Sequence, residues 1–429
     1  MSSAGATGPR RVVIVGGGFG GLACARALDG AGAEVLLLDR TTYHLFTPLL
    51  YQVATALLNP SDIAYPFRKV FRRSKNVRFR RARVDAVDLD RRVVRVDGSE
   101  EIGYEALVLA TGSENAYFGH GDLARHTIGM KTLDEALRLR NHVLACLERA
   151  SETGSPEELR AWLTFVIVGG GPTGVEYAGA LGELLKLVLG RDFPDLPLAL
   201  ARIVLVEGVD RLLPSFRPRL GRYAERILRR RGVEVRTSTL VREARTEGVT
   251  LSDGEEIPAR TVVWSAGVRP EPPGVPEVDR NRSGRLLVDE RLRLPQHPEV
   301  FAIGDVAGER DELPMLSPPA MQEGRYVARL IRRRLAGGRD EDRPPFRYLD
   351  KGAMATIGRN AAVADVHGLR LTGFVGWAAW LLVHIYYLIG FRNRFVVLTS
   401  WAWDYLRRDR PIRLIIASQP DPLVDGTKR

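Results

Sequence analysis

The feature that most restricts the fold of this chain is a short apolar run that ends in a glycine-rich turn, and it occurs twice. Val12-Val13-Ile14-Val15 leads into Gly16-Gly17-Gly18-Phe19-Gly20-Gly21, and Phe165-Val166-Ile167-Val168 leads into Gly169-Gly170-Gly171-Pro172-Thr173-Gly174. Each turn precedes a helix-like stretch, Gly21 to Leu28 and Thr173 to Leu189. Each helix then precedes a second apolar run ending in an acid, Val35 to Leu38 before Asp39 and Ile203 to Val206 before Glu207. The order reads as β-turn-α-β, made twice. In such a unit the first glycine permits the tight turn, the second lets a pyrophosphate reach the backbone, and the third allows the helix to pack closely on its strand. The helix N-terminus faces the phosphate charge, and the acid accepts from a ribose hydroxyl. Gly16, Gly18, Gly21 and Asp39 are therefore one candidate dinucleotide site, and Gly169, Gly171, Gly174 and Glu207 a second. A lone glycine turn is often only structural, but the strand, helix and terminal carboxylate around each copy argue against that. At the second site the acid favours a free 2′-hydroxyl, hence NADH, although Arg211 nearby is the residue type a 2′-phosphate would call for.

A chain of 429 residues with 45% hydrophobic content can fill two or three cores. The net charge of +11 suits anionic partners, but the arginines are spread along the chain and no recognition motif joins them, so nucleic acid is not expected and a membrane surface is the better partner. The two cysteines, Cys24 and Cys146, are far apart and offer neither a disulfide framework nor a CxxxxC dithiol centre, and no metal is implied. The stretch Met1 to Pro9 lacks the charged start and apolar core of a signal peptide, so the body of the chain is expected in the cytoplasm.

Between the two turns lie a strand-like Leu107-Val108-Leu109, a helical Leu133 to Arg149, and a polar crossover, Ser151 to Glu158. Beyond the second, Val262-Val263-Trp264 reads as a strand and Pro270 to Pro276 as a return linker. The first domain then resumes with Val300 to Ile303 and a helix from about Ala320 to Leu335. Strand-like alternation from Ala355 to Gly373 follows. Phe374 to Phe391 is almost wholly apolar, with Phe395 to Trp403 similar, before Arg407, Arg408 and Arg410. The first of these runs is nearly long enough to span a bilayer, which takes roughly 17 to 25 residues. A buried core helix, a transmembrane span and an interfacial helix pair all fit it. The interfacial reading also explains the flanking aromatics and the basic cluster, which could meet anionic headgroups.

Two fingerprints alone could mean two nicotinamide sites. Ala110-Thr111-Gly112 after one strand, Ala266-Gly267 after another, and Gly304-Asp305 before a helix together resemble the FAD-dependent pyridine nucleotide oxidoreductases. That resemblance implies an α/β fold of two Rossmann-like, glutathione-reductase-like domains. It gives FAD to Gly16, Gly18, Gly21, Asp39, Ala110, Thr111, Gly112, Gly304 and Asp305, and NADH to Gly169, Gly171, Gly174, Glu207, Ala266 and Gly267. The expected domains are 10–125 and 278–340 for FAD, 126–277 for NADH, and a membrane-associating segment at 341–429.

His44 to Ala54, Gly171 to Glu176, Lys351 to Gly358 and Gly390 to Arg394 resemble a narrower family, the type II NADH dehydrogenases. The family is non-proton-pumping and passes electrons to a membrane quinone from one membrane face, expected here to be the cytoplasmic one; a homodimer is left open. The resemblance implies catalytic roles for Glu176, as proton relay or orienter, for Gln322, beside flavin or quinone, and for Lys351, as the cation near reduced flavin. The bland readings are a carboxylate favoured by a helix N-terminus, an ordinary helix glutamine and a surface lysine. His44 and Tyr51 read as packing residues. One departure stands out, because the family carries two glutamines one helical turn apart and Pro318 replaces the first here. Rival functions are a reductase with a soluble protein acceptor and a flavin-bearing redox sensor.

Overall fold

In the computed structural model, described for residues 10–275, 278–308, 313–407, 410 and 412–416, the chain divides into two units. The first comprises Met1–Leu45, Ala64–Glu114 and Val268–Lys351, and the second Phe46–Ile63, Asn115–Gly267 and Gly352–Arg429.

The first unit is built on a six-stranded sheet in the order Arg293–Leu294, His297–Ala302, Ala106–Leu109, Arg11–Val15, Glu34–Asp39, Val77–Arg81. All neighbours are parallel except the first pair. Val13 pairs with Leu36 on one side and Leu107 on the other. The central strands read as continuous apolar runs because both faces are covered. Val13, Leu38, Leu107, Leu109, Val300 and Ala302 fill the core on one side. On the other, the helices Phe19–Ala27 and Ser317–Leu335 meet backbone to backbone, since a Cβ on Gly324 would lie 2.3 Å from the Gly20 carbonyl oxygen. The second helix begins earlier than Ala320, and Pro318 sits in its first turn, where its missing N–H costs nothing.

The second unit repeats the plan with a five-stranded sheet, all parallel, in the order Ile128–Gly129, Thr261–Trp264, Thr164–Val168, Arg202–Val206, Val233–Arg236. Val166, Val204, Val262 and Trp264 pack with Val249 and Ile257 of an antiparallel three-stranded sheet. The helix Leu133–Glu152 opens on a capping box, in which Thr132 and Glu135 each satisfy the other's backbone N–H. Ser151 to Glu158 lies inside this unit, where Ser155 caps the helix Pro156–Trp162. The helix Pro172–Glu183 continues as a π-turn over Leu184–Leu189. Pro276, the expected end of the return linker, lies outside the described residues.

The C-terminal part of the second unit holds the antiparallel strands Ala353–Gly358, Ala361–Val366 and Leu369–Thr372, followed by two helices, Gly373–Tyr387 and Phe391–Arg407. The apolar run is thus broken where a span would have to continue. Gly390 has φ +90°, and Arg394 donates to the carbonyls of Leu388 and Tyr386, both at 2.8 Å, satisfying the end of the first helix. Among the described residues no helix is long and apolar enough to cross a membrane. The basic cluster needs correcting. Arg410 is 2% exposed and donates to the carbonyls of Thr55 and Ala180 at 2.9 and 3.1 Å, beside Glu183, so it belongs to the interior and cannot meet a headgroup. Arg407 is exposed, and Arg408 lies outside the described residues.

Candidate active site: two glycine turns and a buried carboxylate

Each glycine turn leaves the carboxyl end of a strand whose neighbours on its two sides are reached by connections running in opposite directions. Arg11–Val15 lies between Glu34–Asp39 and Ala106–Leu109, and Thr164–Val168 between Arg202–Val206 and Thr261–Trp264. In open α/β sheets that switch point is where a crevice opens for a ligand.

At the first turn Gly16 has φ +101°, and a Cβ there would lie 2.3 Å from the Ala110 carbonyl oxygen. Nothing lies within 4 Å of the Cβ position of Gly18, which leaves the cradle open to a phosphate. Asp39 takes the Gly17 N–H at 2.6 Å on one oxygen and the Thr41 N–H and hydroxyl at 2.7 and 2.8 Å on the other. The acid that ends the second strand therefore also fixes the turn. Among the described residues Thr111 Oγ1 is buried with no hydrogen-bond partner, as expected of a group that a ligand satisfies. Open cradle and orphaned hydroxyl together fit a dinucleotide. Gly304 N–H is held by the Glu323 carboxylate, and Asp305 accepts from the Ser113 hydroxyl. Imidazole Nδ1 of His44 lies 3.0 Å from the Gly17 carbonyl and must carry the hydrogen to bond it, while the ring stands edge-on to Phe19. Burial pushes this histidine down to about 4, so it straps the turn as a neutral group.

The second turn is a close copy. Glu207 accepts from the Gly170 N–H at 2.6 Å and from Val209 N–H at 3.0 Å. A Cβ on Gly169 would meet Ser265 and Ala266, and nothing lies within 4 Å of one on Gly171. Ser265 donates to the Val168 carbonyl at 2.8 Å, tying the Ala266-Gly267 strand end to the turn, and Gly267 accepts from Ala116 N–H at 3.1 Å. Arg211 is engaged by Asp210 and by the Pro214 carbonyl. Glu207→Gln should narrow the preference for NADH over NADPH by roughly tenfold, about 1.4 kcal/mol, by removing the charge that repels a 2′-phosphate. Ratios of kcat/KM for the two nucleotides test it, and an unchanged ratio would deny Glu207 the discriminating role.

Glu176 lies in the first turns of the helix Pro172–Glu183. That helix lies hard against the strand Ala353–Gly358, because Gly179 comes within 2.2 Å, Cβ to oxygen, of the Ile357 carbonyl. Glycine at 179 is what permits that approach. Burial raises the Glu176 carboxyl to about 8, partly offset by the Thr356 N–H, 3.2 Å away, and by the nearby Trp380 indole. In the first unit, Gln322 uses both ends of its amide on the Leu349 backbone, at 2.9 and 3.0 Å, clamping the segment that ends in the exposed Lys351. Gln322 and Lys351 are thus brought near in one unit, and Glu176 belongs to the other. Missed from the sequence were Glu323, Ser113, Ser265 and the strap by His44. Buried polar side chains in glycine-rich surroundings carry no local signature; only the fold supplies their partners.

Cys24 and Cys146 are both buried and free, and burial raises the Cys24 thiol, so neither is an accessible electron carrier. Among the described residues no group of three or more His, Cys, Asp or Glu is placed to hold a metal ion.

Residues 10–324 match the pyridine nucleotide-disulphide oxidoreductase family model, and 351–409 the NDH2 C-terminal domain. The chain is 39% identical over 426 residues to a type II NADH:quinone oxidoreductase of Mycobacterium tuberculosis, covering 96% of this chain and 90% of that one. It is 30% identical to an internal alternative NAD(P)H-ubiquinone oxidoreductase of Arabidopsis thaliana, over 92% of this chain and 84% of that one. A solved NDH2 structure from Plasmodium falciparum in complex with NADH shares the fold, with TM-score 0.87, 18% identity, and coverage of 96% of this chain and 100% of that one. With its two carboxylate-anchored turns and its match to both family models, the chain belongs to the type II NADH:quinone oxidoreductases.

Proposed function

We propose that this protein oxidises NADH through bound FAD and passes two electrons to a membrane quinone without pumping protons. The observation that carries the reading is the duplicated turn, one in each unit, each locked by the acid at the end of its own second strand. Gly16, Gly18, Gly21, Asp39, Ala110 to Gly112, Gly304 and Asp305 hold FAD. Gly169, Gly171, Gly174, Glu207, Ala266 and Gly267 hold NADH. When bound, FAD supplies the chemistry that neither substrate has alone, accepting a hydride and releasing two electrons. Glu176, protonated over most of the physiological range, holds a proton for the reaction. Lys351 contributes positive charge toward the flavin ring, on the segment that Gln322 orients.

The membrane face is the outer surface of the two C-terminal helices. Leu382, Tyr386, Phe391, Phe395 and Leu406 are 60 to 86% exposed there, large apolar side chains of the kind an interaction surface presents. Arg392 and Arg407 are exposed beside them, in the place expected of Arg410. On this reading the helices lie in the headgroup layer, not across it, and the face proposed is the cytoplasmic one. Truncation before them would strip Trp380, Trp401 and Arg410 from the interior, so point substitutions are the cleaner test. NADH oxidation by the holoenzyme should be fast with ubiquinone or menaquinone analogues and slow with ferredoxin. Leu382→Asp with Phe391→Asp should abolish sedimentation with anionic vesicles. Turnover with ferredoxin alone would overturn the quinone reading, and unchanged sedimentation the membrane face.

A further inference from the structure

Helix Leu50–Ala54 buries all five of its residues, among them a phenol and an amide, Tyr51 at 6% exposure and Gln52 at 4%. Both belong to a chain of hydrogen bonds within the second unit. Trp401 Nε1 donates to Gln52 Oε1 at 2.7 Å, and Gln52 Nε2 donates to the Tyr51 hydroxyl oxygen at 2.8 Å. The directions follow from the groups themselves. An indole N–H can only donate, so the oxygen end of the amide must face Trp401 and the NH2 end must face Tyr51. An amide NH2 cannot accept, so the hydrogen of Tyr51 cannot be spent on Gln52. Among the described residues Gln52 is the hydrogen-bond partner of that oxygen, which leaves the phenolic hydrogen directed at something else. Burial raises the phenol well above its ordinary range, reinforced by the nearby Glu176, so the hydrogen stays in place at any working pH.

Tyr51 and Gln52 line a half-open cleft whose remaining walls include Trp377, Trp380, Trp401 and Arg410, with a volume of about 60 Å³. Indole walls suit a flat ring, and a fixed O–H donor among them suits a carbonyl oxygen. Resting on the quinone reading above, we infer that Tyr51 donates its O–H to a carbonyl oxygen of the quinone ring in this cleft, and that Trp401, acting through Gln52, is the positioning residue that makes Tyr51 a donor.

The test uses the full-length holoenzyme with NADH and ubiquinone-1, each variant referred to its own ferricyanide reduction and FAD content. Tyr51→Phe should raise KM for ubiquinone-1 about tenfold with a smaller effect on kcat, the size expected for losing one hydrogen bond to a desolvated carbonyl. Trp401→Phe frees the amide to flip and should raise KM by roughly threefold, while the double variant should match Tyr51→Phe alone, since coupled residues do not add. An unchanged KM in Tyr51→Phe overturns the proposal, as does a double variant equal to the product of the singles. Should Tyr51→Phe fail to retain FAD, an unchanged KM in Trp401→Phe overturns it instead. A wild-type protein that reduces ferricyanide but no quinone sinks the quinone reading itself; one that reduces ubiquinone-1 equally with and without the Tyr51 hydroxyl sinks only this assignment.

Discussion

Gly21→Ala should yield a protein without flavin, whereas Gly174→Ala should stay yellow and lose its NADH oxidation. The two substitutions are sterically equivalent. A Cβ on Gly21 would lie 1.8 Å from the Gly16 carbonyl oxygen, and one on Gly174 1.9 Å from that of Gly169. Both distances are far inside contact and both involve backbone, so each helix must move off its strand by about an ångström. Overpacking of this kind costs roughly 1–3 kcal/mol, which a domain with a large core survives. The functional loss is larger, since misplacing a binding element by about 1 Å costs on the order of a hundredfold. What separates the variants is the ligand each turn holds. Flavin absorbance per chain reads the first site, and NADH-dependent ferricyanide reduction per bound flavin reads the second. Flavin lost from Gly174→Ala and kept in Gly21→Ala would reverse the assignment of the turns.

The second large effect is expected at Glu176. Its carboxyl is raised to about 8 in the folded protein by burial, against an ordinary value of 4.5. Between those values the folded chain holds a proton that the unfolded chain has released, so stability falls as pH rises from about 5 to 8 and levels off above. At 1.36 kcal/mol per unit, the contribution lost by pH 8 is on the order of 4 kcal/mol. Glu176→Gln keeps the shape and removes the titration. It should raise Tm relative to wild type at pH 8, with the difference vanishing near pH 5. The same variant should lower turnover roughly a hundredfold, within the range for losing a positioned acid or base, with FAD content intact. A Tm difference that does not change with pH would show that Glu176 is ionised in the folded protein.

Much of the first unit's site is legible because its logic is local. Gly16 to Gly21, Asp39, and the strand ends at Ala110 and Gly304 each follow an apolar run within a few residues, and sheet topology then brings the ends together. Glu207 is readable for the same reason. The glutamine at 322 is singled out by resemblance, but its clamp on Leu349 is not legible, because it depends on how the chain returns.

The C-terminus divides differently. Its aromatic and apolar character is plain in the sequence, which leaves a core helix, a span and an interfacial pair all open, and the break after Leu388 and the engagement of Arg394 depend on helix-end geometry. Arg410 and Tyr51 show the limit most clearly. One looks like the last of a basic cluster and the other like a packing tyrosine, because Thr55, to which Arg410 donates, and Trp401, which orients Gln52 beside Tyr51, lie roughly 350 positions away along the chain.

By itself, then, the sequence determined two dinucleotide turns, the carboxylates that anchor them, the lack of a cysteine pair and an apolar end, all of them patterns within one strand-turn-helix or one segment. Only the tertiary structure decided which polar groups are desolvated and whom they meet: a carboxyl at Glu176 held protonated, an arginine at 410 turned inward, and a phenol at Tyr51 made a donor by a tryptophan. The reason is physical, since burial and hydrogen-bond direction are set by neighbours in space, and those neighbours come from distant parts of the chain.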